Sequence, residues 1–401
     1  MKFRKLLLVL CASVLLGTEA RAGYGFEAVS NTDMYRSTLT YMKNLQTDYF
    51  GEPAYYMIQG LMMEIEASFL TDPYAWIGQV HRFCNMMENI YPPSLGSPMA
   101  NSEERYDKLR RSILLLRDYP MHEASISGDN PPANQVAAFS KANAQWLQFK
   151  RNEFFQFLSS PRPSGNEIQV AKIYSSGVVL RTKDACIGID ICYEEGFYNG
   201  DRREELADHL DALYVTHAHG DHYDVPLLQM MLQKGKSVVA PHTMGKHFIG
   251  SYPDKLFLWS EDQATAVNVQ GKAQTKAFMS AQGDEPCLLY HILLGDWRII
   301  HVGDNSHHEN ETPYSKEQLA DFVFAPVFQG LTSLFKNTRG APNPDNAEQV
   351  YINIHENEWH HVVASRVPYK YLFNDPGALG GSGVYPSYAL LDNGEHITFY
   401  K

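Results

Sequence analysis

Thr216-His217-Ala218-His219-Gly220-Asp221-His222 follows Leu213-Tyr214-Val215, an apolar stretch that reads as a strand. Four side chains able to ligate a metal thus fall within six residues at a strand's end. Neutral imidazole and carboxylate are ligands expected for zinc, iron or manganese. In extended chain His217 and His219 project to the same side. Gly220 then lets the backbone turn, so that Asp221 and His222 face a second point. One short loop can therefore serve two adjacent metals. The competing reading, a solvated polar run, does not explain why so many ligand side chains gather directly behind a hydrophobic strand.

Outward from this loop the pattern predicts short strands. Residues 168–174, 178–181, 185–191, 213–216, 237–240, 288–294, 298–302, 322–325 and 350–354 are short apolar runs rich in β-branched side chains. Helical stretches at 226–234 and 315–321 lie between them. Many short strands with interspersed helices indicate a layered α/β or α+β domain. Upstream, Pro161-Arg162-Pro163-Ser164-Gly165 marks a boundary, and residues 24–160 read as mostly helical. In 134–158, Val136, Phe139, Trp146, Phe149 and Phe157 recur near the helical period. Residues 55–69, rich in Met, Ile and Leu, suit a helix that buries a broad face and breaks at Asp72-Pro73.

The central segment resembles the HxHxDH signature of the metallo-β-lactamase superfamily, and the likeness extends over about residues 165–401. The resemblance implies an α+β fold, an αββα sandwich with metals at one edge of its two sheets, preceded here by a helical region. Other landmarks of that family can be matched one by one. Asp190, at the end of a strand, corresponds to an Asp that supports the metal loop. Ile299-Ile300-His301-Val302-Gly303-Asp304 resembles the family's strand followed by Gly-Asp, where the Asp bridges two metals. Val350-Tyr351-Ile352-Asn353-Ile354-His355 resembles the final strand followed by His. The resemblance assigns His217 and His219 to one metal, Asp221, His222 and His355 to the other, and Asp304 to both. Glu358 and His360, behind His355, follow a pattern of some exported members. One landmark is absent. The window Phe278-Met279-Ser280-Ala281-Gln282-Gly283-Asp284-Glu285 holds no His where a ligand of the first metal is expected. Gln282, Asp284 and Glu285, or else His242 and His247, are the substitutes within reach.

The resemblance further implies a hydrolase that uses a metal-bound hydroxide on an ester-type bond, with Asp221 as the catalytic side chain. A bound metal lowers the pKa of its water from 15.7 towards about 7. The cofactor expected is zinc, in up to two ions, with iron or manganese as further candidates. A bridging Asp304 resembles the phosphodiesterase, lactonase and thioesterase branches more than the antibiotic-hydrolysing ones. The expected partner is a small-molecule or lipid-like substrate. A protein that keeps the fold without full metal occupancy, acting as a binding module, is the alternative that the missing His motivates.

The start of the chain predicts export. Lys2, Arg4 and Lys5 precede the apolar run 6–16, and Ala20-Arg21-Ala22 fits a cleavage site, so residues 1–22 read as a signal peptide. The organisation expected is therefore a leader at 1–22, a helical region at 23–164 and the sandwich domain at 165–401. The run is too short for a membrane span of about 20 residues. The 401-residue chain carries a formal charge of −12. Residues 1–22 hold four basic side chains against Glu19, a net +3, so the mature charge is −15. That charge argues against nucleic acid as a partner, because phosphate binding draws on basic side chains. Cys84, Cys186, Cys192 and Cys287 follow the leader. An oxidising compartment permits a Cys186–Cys192 bridge if the chain turns between them, while buried free thiols are an equal expectation.

Overall fold

The computed structural model describes residues 52–71, 75–90, 95–96, 112–114, 116, 133–193, 198, 200–260, 263–269, 271–305, 320–326, 350–355 and 387–401. Three helices lead: α1 (Glu52–Thr71), α2 (Ala75–Ile90) and α3 (Ala133–Ser159). Each buries one stripe. In α1 the stripe is Ile58, Leu61, Met62 and Ile65, and in α2 it is Val80, Phe83, Cys84 and Met87. Both follow the three- and four-residue steps of an amphipathic helix.

Two sheets follow. The seven-stranded sheet has the order β15-β2-β3-β4-β5-β6-β7. Its strands are β2 (Glu167–Lys172), β3 (Val178–Arg181), β4 (Cys186–Ile189), β5 (Ala212–Tyr214), β6 (Ser237–Pro241), β7 (Leu256–Trp259) and β15 (His396–Tyr400). Strands β4 to β7 run parallel. Helix α4 (Gly200–His209) connects β4 to β5, and α5 (Val225–Gln233) lies between β5 and β6. The eight-stranded sheet has the order β1-β14-β13-β12-β11-β10-β9-β8. It comprises β1 (Leu95–Gly96), β8 (Gln263–Val269), β9 (Ala273–Gln282), β10 (Glu285–Leu294), β11 (Trp297–His301), β12 (Phe322–Ala325), β13 (Val350–Asn353) and β14 (Ser387–Ala389). Strands β11 to β14 are parallel, and β8 to β11 are antiparallel.

The period-two alternation of strands splits the apolar side chains between two cores. In β5, Ala212 and Tyr214 join Ile187, Ile189, Tyr290, Ile299 and Phe324 in the core between the sheets. Leu213 and Val215 point the other way and pack with residues of α1 to α5. Strands β3 to β6 are buried on both faces, which is why they read as unbroken apolar runs. The architecture is α+β: two facing sheets, with helices on the outer face of the seven-stranded one. Segments 306–319 and 327–349 lie outside the described residues, and so does most of the helix expected at 315–321.

The leading helices share their core with the first sheet, since one cluster runs from Ile58 through Phe154 to Val179 and Met244. Polar contacts fix the join. Arg181 of β3 donates to the carbonyls of Phe157 and, at 2.6 Å, Ser160, where α3 ends. A guanidinium there satisfies carbonyls that the helix leaves unpaired. Lys150 of α3 is fully buried and pairs with Glu88 of α2 and, at 3.1 Å, with Glu153.

The strands expected from β-branched runs are present within a few residues. Strands β1, β7, β8, β9, β14 and β15 and helix α4 were not expected, and α2 falls in the region read as mostly helical without bounds of its own. Cys84, Cys186, Cys192 and Cys287 are all buried and free, so Cys186 and Cys192 are not bridged. Among the described residues no helix is long and apolar enough to cross a membrane. Residues 1–22 lie outside the described residues.

Candidate metal centre

Every ligand candidate sits where a parallel strand ends. Asp190 follows β4, the loop 217–222 follows β5, Asp304 follows β11, and His355 follows β13. The first two strands belong to one sheet and the last two to the other. The centre therefore lies at the carboxyl ends of both sheets, where open α/β sheets place their ligands.

The structure brings four side chains to one point. Asp221, His222, Asp304 and His355 each offer a ligand atom, and these atoms all lie within 4.8 Å of one another. His355 Nε2 is 3.0 Å from Asp221 Oδ2 and 2.9 Å from Asp304 Oδ2. His222 Nε2 is 3.3 Å from Asp221 Oδ2 and 3.4 Å from Asp304 Oδ2. All four side chains are buried. His217 and His219 stand beside this group rather than in it. The His217 ring is 4.0 Å from that of His222 and 4.5 Å from that of His219, centroid to centroid.

Asp190 organises the loop. Its Oδ1 accepts from the Thr216 backbone N–H at 2.7 Å, and its Oδ2 accepts from the Thr216 hydroxyl at 2.7 Å. Oδ2 also lies 3.0 Å from His222 Nδ1. An ionised carboxylate can only accept, so the Thr216 hydroxyl must be the donor. Its oxygen is then left to accept from His217 Nδ1, 3.0 Å away. Both imidazoles consequently carry a hydrogen on Nδ1 and turn Nε2 away from Thr216 and Asp190. Those two Nε2 atoms, and Asp304 Oδ1, are buried and make no hydrogen bond. Buried polar atoms without a hydrogen-bond partner fit a cation, and a His oriented through its other nitrogen is the usual arrangement around one.

Charge follows the same plan. Burial alone would raise the Asp221 and Asp304 carboxyls, but His222 and His355 hold both far below the usual carboxylate range. Burial alone would lower the two imidazoles, yet the surrounding carboxylates push His222 and His355 well above the ordinary histidine value. His217 differs. Burial, aided by the His222 charge, lowers it to about 3, so it is neutral and ready to ligate. Two imidazolium charges thus balance the acidic cluster, and a divalent cation would bring the same charge to the same place.

Backbone conformation serves the site as well. Asp190 and His355 occupy the left-handed region at φ 51° and 69°, which costs a non-glycine residue stability unless its surroundings hold it there. The His355 N–H donates to the Ser175 carbonyl at 3.0 Å, tying the end of β13 to the β2–β3 turn of the other sheet. Gly303, at φ 55°, is where glycine is required. A Cβ on it would lie 2.8 Å from Thr216 and 3.0 Å from Cys287 Sγ.

The histidine-free window forms the end of β9 and its hairpin into β10. Asp284 and Glu285 are exposed on that hairpin. Gln282 reaches the centre instead, donating from Nε2 to Asp304 Oδ2 at 3.1 Å. His242 and His247 lie on a 3₁₀ segment after β6, where His242 is exposed and His247 packs 5.6 Å from Tyr223. His307, His308, Glu358, His360 and His361 lie outside the described residues. The Thr216 relay and the Gln282 contact escaped sequence reasoning. Only the side-chain pairing across the fold reveals them.

Residues 169–341 match the family described as the beta-lactamase superfamily domain. Over that stretch the chain is similar to a metallo-β-lactamase superfamily domain. Solved structures similar to it include the metallo-beta-lactamase fold protein YhfI from Bacillus subtilis, 15% identical over 58% of this chain and 100% of that one, with a TM-score of 0.38. They also include Igni18, a metallo hydrolase from Ignicoccus hospitalis, 15% identical over 59% of this chain and 99% of that one, at a TM-score of 0.40. A third is an isothiocyanate hydrolase from Delia radicum gut bacteria, 13% identical over 57% of this chain and 98% of that one, at 0.41. No curated protein matches the chain. Among the described residues Asp221, His222, Asp304 and His355 are a group that could hold a metal ion, with His217 and His219 beside them.

Proposed function

We propose that the chain is a metal-dependent hydrolase of ester-type bonds, acting on a phosphodiester, a lactone or a related ester of a small or lipid-like molecule. The observation that supports this most is the buried convergence of Asp221, His222, Asp304 and His355, whose ligand atoms lie within 4.8 Å of one another. A divalent ion bound there supplies hydroxide at neutral pH and polarises a carbonyl or phosphoryl oxygen. The chain's own residues do the rest. Asp190 and Thr216 orient the imidazoles of His222 and His217 through their Nδ1 atoms. Asp221 would add a carboxylate ligand to the ion and keep its charge neutralised within the cluster. The donor set of imidazole and carboxylate suits zinc first, and iron or manganese as well.

Metal analysis of the purified protein is the first test, and about one or two equivalents are expected. Metal-dependent turnover of a panel of lactones, carboxyl esters and bis-phosphoesters is the second. Asp221→Ala should abolish that turnover, and its survival would sink the assignment. Gln282 in place of an imidazole favours a second reading, a one-ion centre or a binding module with the same fold. One equivalent with full turnover selects the one-ion enzyme. No metal and no turnover select the binding module. We also propose export, supported by the leader pattern of residues 1–22. Amino-terminal sequencing of the mature protein should begin near Gly23, and an intact Met1 would overturn it.

A further inference from the structure

We propose that Gln282 is a positioning residue of the metal centre: its side-chain amide holds the Asp304 carboxylate through Oδ2, the oxygen that faces His222 and His355. This rests on the reading that the four-residue cluster holds a metal. The geometry is direct. Gln282 Nε2 donates to Asp304 Oδ2 at 3.1 Å. Asp304 Oδ2 is also the atom that meets His355 Nε2 at 2.9 Å and His222 Nε2 at 3.4 Å. The other oxygen, Oδ1, is buried and makes no hydrogen bond. One carboxylate oxygen is therefore held and the other is left bare.

The amide orientation follows from chemistry. Turning it over would set Oε1 against an ionised carboxylate, two acceptors with no hydrogen between them. Gln282 Oε1 is itself buried without a hydrogen-bond partner, so the side chain keeps its place through its donor alone. Strand β9 repeats the device one step away. Ser280, two residues earlier and projecting the same way, donates to Asn305 Oδ1 at 2.7 Å. The segment 303–305 is thus held from two sides. Thr216 and Cys287 crowd Gly303 on one side, and the tip of β9 grips Asp304 and Asn305 from the other. A histidine would have offered a ligand here; glutamine offers a donor that steers one.

Full-length protein is stripped of metal and titrated with Zn(II) against a chromophoric chelator. Wild type must bind, and its failure to do so would overturn the metal reading itself. Given binding by wild type, Gln282→Leu should weaken zinc affinity by about 10–100-fold, the usual effect of removing a partner of a metal ligand. The visible spectrum of the Co(II)-loaded protein should shift in the same variant. Unchanged affinity in Gln282→Leu overturns the inference while leaving the metal reading intact. Gln282→Glu keeps the size and guards against misfolding of the leucine variant. It has no proton to donate at neutral pH, so it should also weaken binding. Tighter zinc binding by Gln282→Glu would show a direct oxygen ligand and overturn the positioning role.

Discussion

Asp190 shows how much one buried carboxylate can organise. It takes three hydrogen bonds, two from Thr216 and one from His222 Nδ1, and through Thr216 it also sets His217. Asp190→Asn leaves one oxygen in place of two and frees the imidazole hydrogens to move. Metal affinity should fall about 10–100-fold, as for other lost partners of metal ligands, read by chelator competition. Unaltered affinity would contradict the relay. The pH dependence follows from the raised values of His222 and His355. Both keep their protons to higher pH than an ordinary histidine, and a metal must displace them. Affinity should therefore rise with pH and fall in acid, with release of about two protons per ion near neutrality. Calorimetry in buffers of different ionisation enthalpy measures that release, and heats that ignore the buffer would refute it. At this scale the sequence was informative about which residues meet, because a ligand cluster behind a strand is rare. It was silent on what orients them, because Asp190 and Thr216 are 26 residues apart and Gln282 and Asp304 are 22 apart.

The elements carry the loops to one edge. The run after β11 succeeds only because Gly303 passes between Thr216 and Cys287 in the left-handed region. Gly303→Ala adds conformational strain and overpacking together, and a loss of about 2–4 kcal/mol is expected. Urea unfolding of the metal-free protein measures it; a loss within error would mean the contact relaxes easily. Elements were legible in proportion to their side chains. Strands β3, β4 and β12 announce themselves as β-branched or aromatic runs. Strand β9, Ala273-Gln274-Thr275-Lys276-Ala277-Phe278-Met279-Ser280-Ala281-Gln282, is built from small and polar residues, and its place comes from pairing with β10 along its full length. Helix α2 had the signal in Val80, Phe83, Cys84 and Met87, a period that inspection of the sequence passed over.

In the whole molecule the ligands come from both sheets, so an ion bound at Asp221, His222, Asp304 and His355 would join one sheet to the other. Chelation should lower the melting temperature. The stabilisation lost is about 2.7 kcal/mol where free metal stood at 100 times its Kd, and no shift by calorimetry would show that the cluster is not bridged. The leading helices are equally part of the fold. They share one buried cluster with the outer face of the seven-stranded sheet, joined through α3 at Arg181 of β3, while α5 packs on β5 and β6. Residues 165–401 alone should aggregate or stay expanded on gel filtration, whereas a monomeric, cooperatively unfolding fragment would mean the sheet does not need them.

The final strand has a consequence of its own. β15 pairs along Glu167–Ile168-Gln169-Val170-Ala171 of β2, and Lys401 reaches the Asp296 carbonyl and the Asp321 carboxylate. The first sheet thus gains its edge strand only when Tyr400 meets Glu167, 233 residues away along the chain. Until β15 arrives, β2 stays an open border, and loss of residues 396–400 would strip the sheet of that strand. Pairing this distant is slow to form, because the long loop between the partners must be ordered before the contact is made.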